Sequence, residues 1–138
     1  MSDSTLIILL RVAAAGQCLI AILATQMTRL LHWEEELARM SLLVREVFKI
    51  HSFFLIFTLL LFAVLTWRFA PDIAAGGQPL TSWLAGGIAL FWSIRTVFQW
   101  TFYSREHWRG KRRETAVHWT LTVVYGSWAV LYGWCALR

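Results

Sequence analysis

The chain has 138 residues, 58% of them apolar and 15% charged, with nine Trp, two Pro and a formal net charge of +5. That is far too apolar for a soluble domain of this size, so composition indicates an integral membrane protein. The excess positive charge sits in the segments between apolar runs, which excludes the soluble basic face that nucleic-acid binding requires.

Four apolar runs are long enough to cross a hydrocarbon core of ~30 Å. They lie near residues 5–25, 50–67, 84–103 and 115–137. The first follows an acidic MSDST start. With no basic lead, a long apolar run and no convincing cleavage site, it is expected to stay as a helix rather than be removed as a signal peptide.

After the first run, Trp33, Leu37, Met40, Val44 and Val47 recur at i, i+4, i+7, i+11 and i+14. This stripe predicts an amphipathic interfacial helix near residues 33–48, with Glu34, Glu35, Glu36, Arg39 and Arg45 largely off it. A carboxylate metal site at Glu34–Glu36 beside His32 is disfavoured, because consecutive residues point around a helix rather than at one ion. Between the second and third runs, "RFAPDIAAGGQP" reads as a loop built from Pro71, Gly76, Gly77 and Pro79.

Charge asymmetry sets the orientation. The segments after the first and third runs hold Arg29, Arg39, Arg45, Lys49, Arg105, Arg109, Lys111, Arg112 and Arg113, against only Arg68 and Arg138 on the other side. Basic segments near helix ends stay cytoplasmic, which places both termini outside. The expected fold is therefore an all-α, four-helix transmembrane up-and-down bundle forming one domain over residues 1–138, in a membrane of the bacterial inner type. Cys18 and Cys135 fall at different depths, so no disulfide is expected between them. In the last run, "YGSW" and "YGWC" put Gly126 and Gly133 seven residues apart, as close helix packing would require.

The residues that carry chemistry gather on the cytoplasmic half. His51 is the second residue of the second run and His118 the fourth of the fourth, so the two fall at matched depth on diagonal helices. Facing imidazoles of this kind hold haem b in other helical proteins. In "LFWSIRTVFQW", Trp92, Arg95, Thr96 and Gln99, continued by Tyr103, form a polar stripe on the third run. His118, Thr122, Tyr125 and Tyr132 do the same on the fourth, and His51 and Thr58 on the second. Polar side chains in a span face the interior, so three such stripes predict a cytoplasmic-side pocket for a flat or amphipathic ligand.

Arg95 and Arg11 both lie inside spans, and none of the eight acids does. A guanidinium there costs at least ~2.5 kcal/mol, so something must offset it. For Arg95 the expectation is an anionic ligand or partner, and for Arg11 a lipid or snorkelling to the headgroups. His51, His118, Arg95, Gln99 and Tyr103 are thus the predicted binding residues for haem b, a quinone or a lipid-like molecule. His51 and His118 act as metal ligands only in the haem case. The alternative is a non-catalytic subunit of a homo-oligomer or larger membrane complex, in which small residues such as Ala13, Gly16 and Gly86 serve helix packing.

Length, four spans, the basic cytoplasmic side and "KIH" at residues 49–51 resemble the membrane-associated eicosanoid and glutathione transferase family. The resemblance implies a trimer that binds glutathione between subunits through arginines, and hence a second alternative, a membrane transferase. The chain departs from that family further along the same helix, where it has Phe53 and no carboxylate before Arg68.

Overall fold

The computed structural model describes residues 2–30, 33–102 and 112–138. Five helices run in order: α1 (Asp3–Leu30), α2 (Glu34–Arg39), α3 (Leu42–Ala75), α4 (Pro79–Thr101) and α5 (Arg112–Ala136). Among the described residues there is no strand. Over Asp3–Gln26 and Leu42–Ala75 the chain is long and apolar enough to cross a membrane. The helices α4 and α5, of 23 and 25 residues, have the length for a span but carry more Trp, Tyr, Ser and Thr.

Two boundaries differ from the sequence expectation. The interfacial stripe is not one helix: α2 ends at Arg39, Met40 is extended (φ −75, ψ 154), and α3 starts at Leu42. Ser41 supplies the first carbonyl of α3 to the amide of Arg45, a position where serine suits the helix start. An edge-to-face contact of Trp33 with Phe48, at 6.4 Å, ties the short helix back to α3 across the break.

The predicted outer loop is likewise mostly helix. All of its residues before Gly76, from Arg68 to Ala75, continue α3, with Pro71 inside it. Proline removes one donor there, a loss that helices in apolar surroundings tolerate. Only Gly76, Gly77 and Gln78 separate α3 from α4, and Pro79 opens α4 at a position where its missing N–H costs nothing.

The chain forms two compact units, Ile8–Ala70 and Met1–Ile7 with Pro71–Arg138. In the second, Arg138 joins three distant segments. Its guanidinium donates to the Ala74 carbonyl at 2.6 Å and pairs with Asp3 at 2.9 Å. The turn closes against the same residue: Gly76 has φ +71, and a Cβ built on it falls 2.9 Å from the Arg138 Cβ. Gly77 has φ +77 and open space around it. Gly76→Ala is therefore expected to cost both backbone strain and a clash, about 2–3 kcal/mol, and Gly77→Ala strain alone, about 1 kcal/mol. Thermal unfolding in detergent checks this, and equal effects at the two positions would contradict the Arg138 contact.

The core of this second unit is the α4–α5 hairpin. Thr81, Ala85, Ile88, Ala89, Trp92 and Gln99 are buried along one face of α4, and His118, Tyr125, Trp128, Tyr132 and Cys135 along one face of α5. Gly126 sits against Thr96 Cγ2, Gly133 against Ala89 and Gly86 against Ala136, with added Cβ distances of 3.8, 4.0 and 3.8 Å. These pairs run in opposite directions along the chain, so the helices are antiparallel. The seven-residue spacing of Gly126 and Gly133 is a packing seam, matched by Ala89 and Thr96 on the other helix. Cys18 and Cys135 are both free.

Candidate functional site

The polar stripe of α4 meets that of α5 at the end of the hairpin nearest residues 103–111. Gln99, one of the buried residues of α4, places its amide Nε2 3.0 Å from Nδ1 of the buried His118. An amide nitrogen only donates, so Nδ1 accepts and the imidazole proton sits on Nε2. The other amide atom, Gln99 Oε1, is buried with no hydrogen-bond partner, and so is the indole N–H of Trp92 two turns along the same face. Buried polar atoms left without partners cost about 1–3 kcal/mol each, so a packed seam that retains two of them calls for an explanation.

Between these two residues stands Arg95, half-buried, its guanidinium 5.3 Å from the centroid of the Tyr125 ring. Tyr125 also stacks on Trp92 at 4.8 Å, and Trp128 meets Trp92 at 4.6 Å. The cation thus lies at the rim of an aromatic cluster. A cation–π contact is worth roughly 0.5–2 kcal/mol, less than the ~2.5 kcal/mol or more that an arginine would cost in a membrane span. Among the described residues Arg95 has no carboxylate or carbonyl acceptor, so its N–H donors remain available.

The threonines of the stripes do something simpler. Thr96 donates to the Trp92 carbonyl, Thr122 to that of His118 and Thr58 to that of Phe54, each at 2.7–2.8 Å and four residues back. Their hydroxyls are satisfied within their own helices.

Of the predicted binding residues, then, Arg95, Gln99 and His118 come together on one hairpin. Tyr103 lies outside the described residues, as do His32 and His107. His51 belongs to the other unit and is exposed. It is not near a helix start, because α3 begins nine residues earlier, and its Nδ1 lies 2.8 Å from the Val47 carbonyl one turn back. Nδ1–H therefore donates there, leaving the lone pair on Nε2. Among the described residues no three His, Cys, Asp or Glu side chains gather as a metal site would need.

Sequence reasoning missed the aromatic partners of the arginines. Arg11 lies 5.6 Å from the Trp67 ring just as Arg95 lies over Tyr125. The signal is present in the sequence, since Tyr125 is on the predicted stripe, but spacing alone does not show that its ring face meets a guanidinium. Against known proteins, the chain matches no family model, no curated protein and no solved structure.

Proposed function

We propose that this chain is a four-span membrane protein whose α4–α5 hairpin binds the polar or anionic head of an amphipathic ligand, quinone-like or lipid-like, in the cytoplasmic half of the bilayer. The membrane part is supported by an inverted distribution of side chains. Gln17, Thr66, Thr81, Gln99 and His118 are buried, while Phe53, Phe57, Val64, Leu90, Val97, Val123, Val130 and Trp134 are exposed. A protein in water could not leave that much large apolar surface uncovered, whereas lipid favours it. All four long helices carry such outward apolar residues, α4 and α5 included.

The observation that carries the ligand reading is the convergence of unsatisfied groups on α4. The Trp92 N–H and the Arg95 guanidinium are donors, Gln99 Oε1 is an acceptor, and all three lie within two turns of one helix. A head group with a carbonyl, phenolate or carboxylate oxygen and a hydroxyl carries the partner types that these groups lack. The apolar tail of such a molecule would follow the exposed faces of the same helices.

Haem is the second reading, and His51 favours it: an Nδ1–H held by a backbone carbonyl, with the Nε2 lone pair directed outward, is the tautomer of a metal-ligating histidine. His118 argues the other way, because its proton is on Nε2 when Gln99 donates to Nδ1. The amphipathic-ligand reading predicts a colourless protein that releases an organic-soluble molecule on denaturation. Arg95→Gln is expected to lose that molecule at least tenfold while the helix content stays unchanged. Mass spectrometry of the extract and a visible spectrum check this. A sharp Soret band, altered equally by His51→Ala and His118→Ala, would replace the quinone or lipid with haem. Full retention of the molecule by Arg95→Gln would leave the arginine a snorkelling residue.

A further inference from the structure

A second cationic site lies in the other unit. Arg11 of α1 places its guanidinium 5.6 Å from the ring centroid of Trp67 on α3, and the next residue, Arg68, lies 5.5 Å from the ring of Phe69. Arg11, Trp67 and Arg68 are all exposed. Among the described residues neither arginine makes a hydrogen bond or an ion pair, the one described ion pair being that of Arg138 with Asp3. The acids of this unit, Glu34, Glu35, Glu36 and Glu46, are far away: Glu46 stands 21 residues before Trp67 on the same helix, ~31 Å along its axis. The nearest carboxylate in sequence, Asp72, forms no ion pair among the described residues.

The Arg11 guanidinium stands against the Trp67 ring on an otherwise apolar surface, and among the described residues no anion pairs with it. Arg11 stands eight residues into α1, and Trp67 eight residues before the end of α3, so each is ~12 Å from its helix terminus. That is about the depth at which long cationic side chains reach the headgroups and at which tryptophan accumulates. We propose that Arg11 and Trp67 form a phospholipid site that takes a lipid phosphate of the outer leaflet on the Arg11 guanidinium, with an acyl chain along the Trp67 ring and Arg68, one residue on, adding only its nearby charge. Arginine suits this role because its planar fork can offer two N–H groups to one phosphate, and the ring face orients it. The proposal rests on the membrane reading but on none of the α4–α5 residues.

Native mass spectrometry of the full chain in detergent, titrated with dioleoylphosphatidylglycerol, tests it. One lipid is expected to bind well above the background of further additions, with dioleoylglycerol, which lacks the phosphate, at least tenfold weaker. Arg11→Gln is expected to weaken the phosphatidylglycerol adduct about tenfold, and Arg68→Gln by a smaller factor. Arg11→Lys should recover part of the loss and Trp67→Phe most of the binding. Because all three side chains are exposed, these variants should keep the wild-type melting temperature. Equal binding of the two lipids, or wild-type binding by Arg11→Gln, would overturn the site. Displacement of the lipid by millimolar inorganic phosphate would overturn the lipid as its occupant. Release of the wild-type chain from membranes by alkaline carbonate would instead overturn the membrane reading itself, while loss of binding in His118→Leu would show the adduct at the other site.

Discussion

Trp92→Ala is expected to be the most destabilising single substitution in α4, at about 3 kcal/mol. Trp92 is 1% exposed and is the one ring in contact with both Tyr125 and Trp128, at centroid distances of 4.8 and 4.6 Å. Truncating a buried aromatic in a water-soluble core costs about 3–5 kcal/mol, part of it the transfer of apolar surface out of water. With the hairpin in lipid, as proposed, that transfer component would largely vanish while the cavity and lost dispersion contacts remain, which places the expectation at the low end of the range. Each aromatic pair adds roughly 0.5–1.5 kcal/mol through its geometry. Trp92→Phe separates ring from N–H. It keeps an aromatic in the stack and removes a buried donor that has no partner, so its cost should stay below about 1.5 kcal/mol. If the indole N–H serves the proposed ligand, the same variant should nonetheless release it. Thermal unfolding read beside ligand content distinguishes these outcomes, and a Trp92→Ala protein that unfolds at the wild-type temperature would refute the aromatic cluster as the centre of the hairpin.

How far the sequence discloses this arrangement depends on which force acts at each point. Helical periodicity is strong in α4, so the face carrying Trp92, Arg95 and Gln99 is legible from spacing alone, and the structure buries Trp92 and Gln99 on it. The glycine spacing in α5 is legible for the same reason. The helix boundaries are less so. Pro71 and the two glycines after it read as a loop, yet the helix continues to Ala75, because a proline deprives a helix of only one hydrogen bond. Met40 and Ser41 are an ordinary part of an amphipathic stripe, yet the chain breaks there. That break is held by a long-range contact, Trp33 on Phe48, which no local pattern encodes.

The site shows the same division. Gln99 and Arg95 are recognisable as polar residues that ought to face inward. That Gln99 bonds His118, and that Arg95 turns its charge to a ring, depends on the register between α4 and α5. Register is set by Gly126 against Thr96 and Gly133 against Ala89, contacts between residues 30 and 44 positions apart in the chain. For His51 the helix boundary and the apolar boundary are different things. The depth argument counts from the start of the apolar run, whereas α3 starts nine residues before His51 and α5 six before His118, and the His51 imidazole bonds a carbonyl of its own helix.

The pair Gln99 and His118 should behave as a unit, with large single effects and a small double one. His118→Leu leaves both polar atoms of the Gln99 amide buried and unpaired, where the wild-type protein has only Oε1 in that state. Losing one partner of a buried hydrogen bond costs about 1–3 kcal/mol, and more in lipid surroundings only where no neighbour can substitute. Gln99→Leu takes the donor from Nδ1 of His118 and should destabilise by a similar amount. The double variant Gln99→Leu, His118→Leu replaces both with apolar groups of comparable size, removes the unpaired Oε1 as well, and should unfold within about 1 kcal/mol of wild type. A coupling energy of at least about 1 kcal/mol is thus expected from the cycle. Binding should not follow stability. All three variants lack part of the polar lining beside Arg95, so all three should lose the co-purified ligand, including the double variant that regains its melting temperature. That divergence separates a binding pair from a structural one. Additive single effects would mean that the 3.0 Å contact is not formed in solution, and a double variant that keeps the ligand would assign Gln99 and His118 to helix pairing alone.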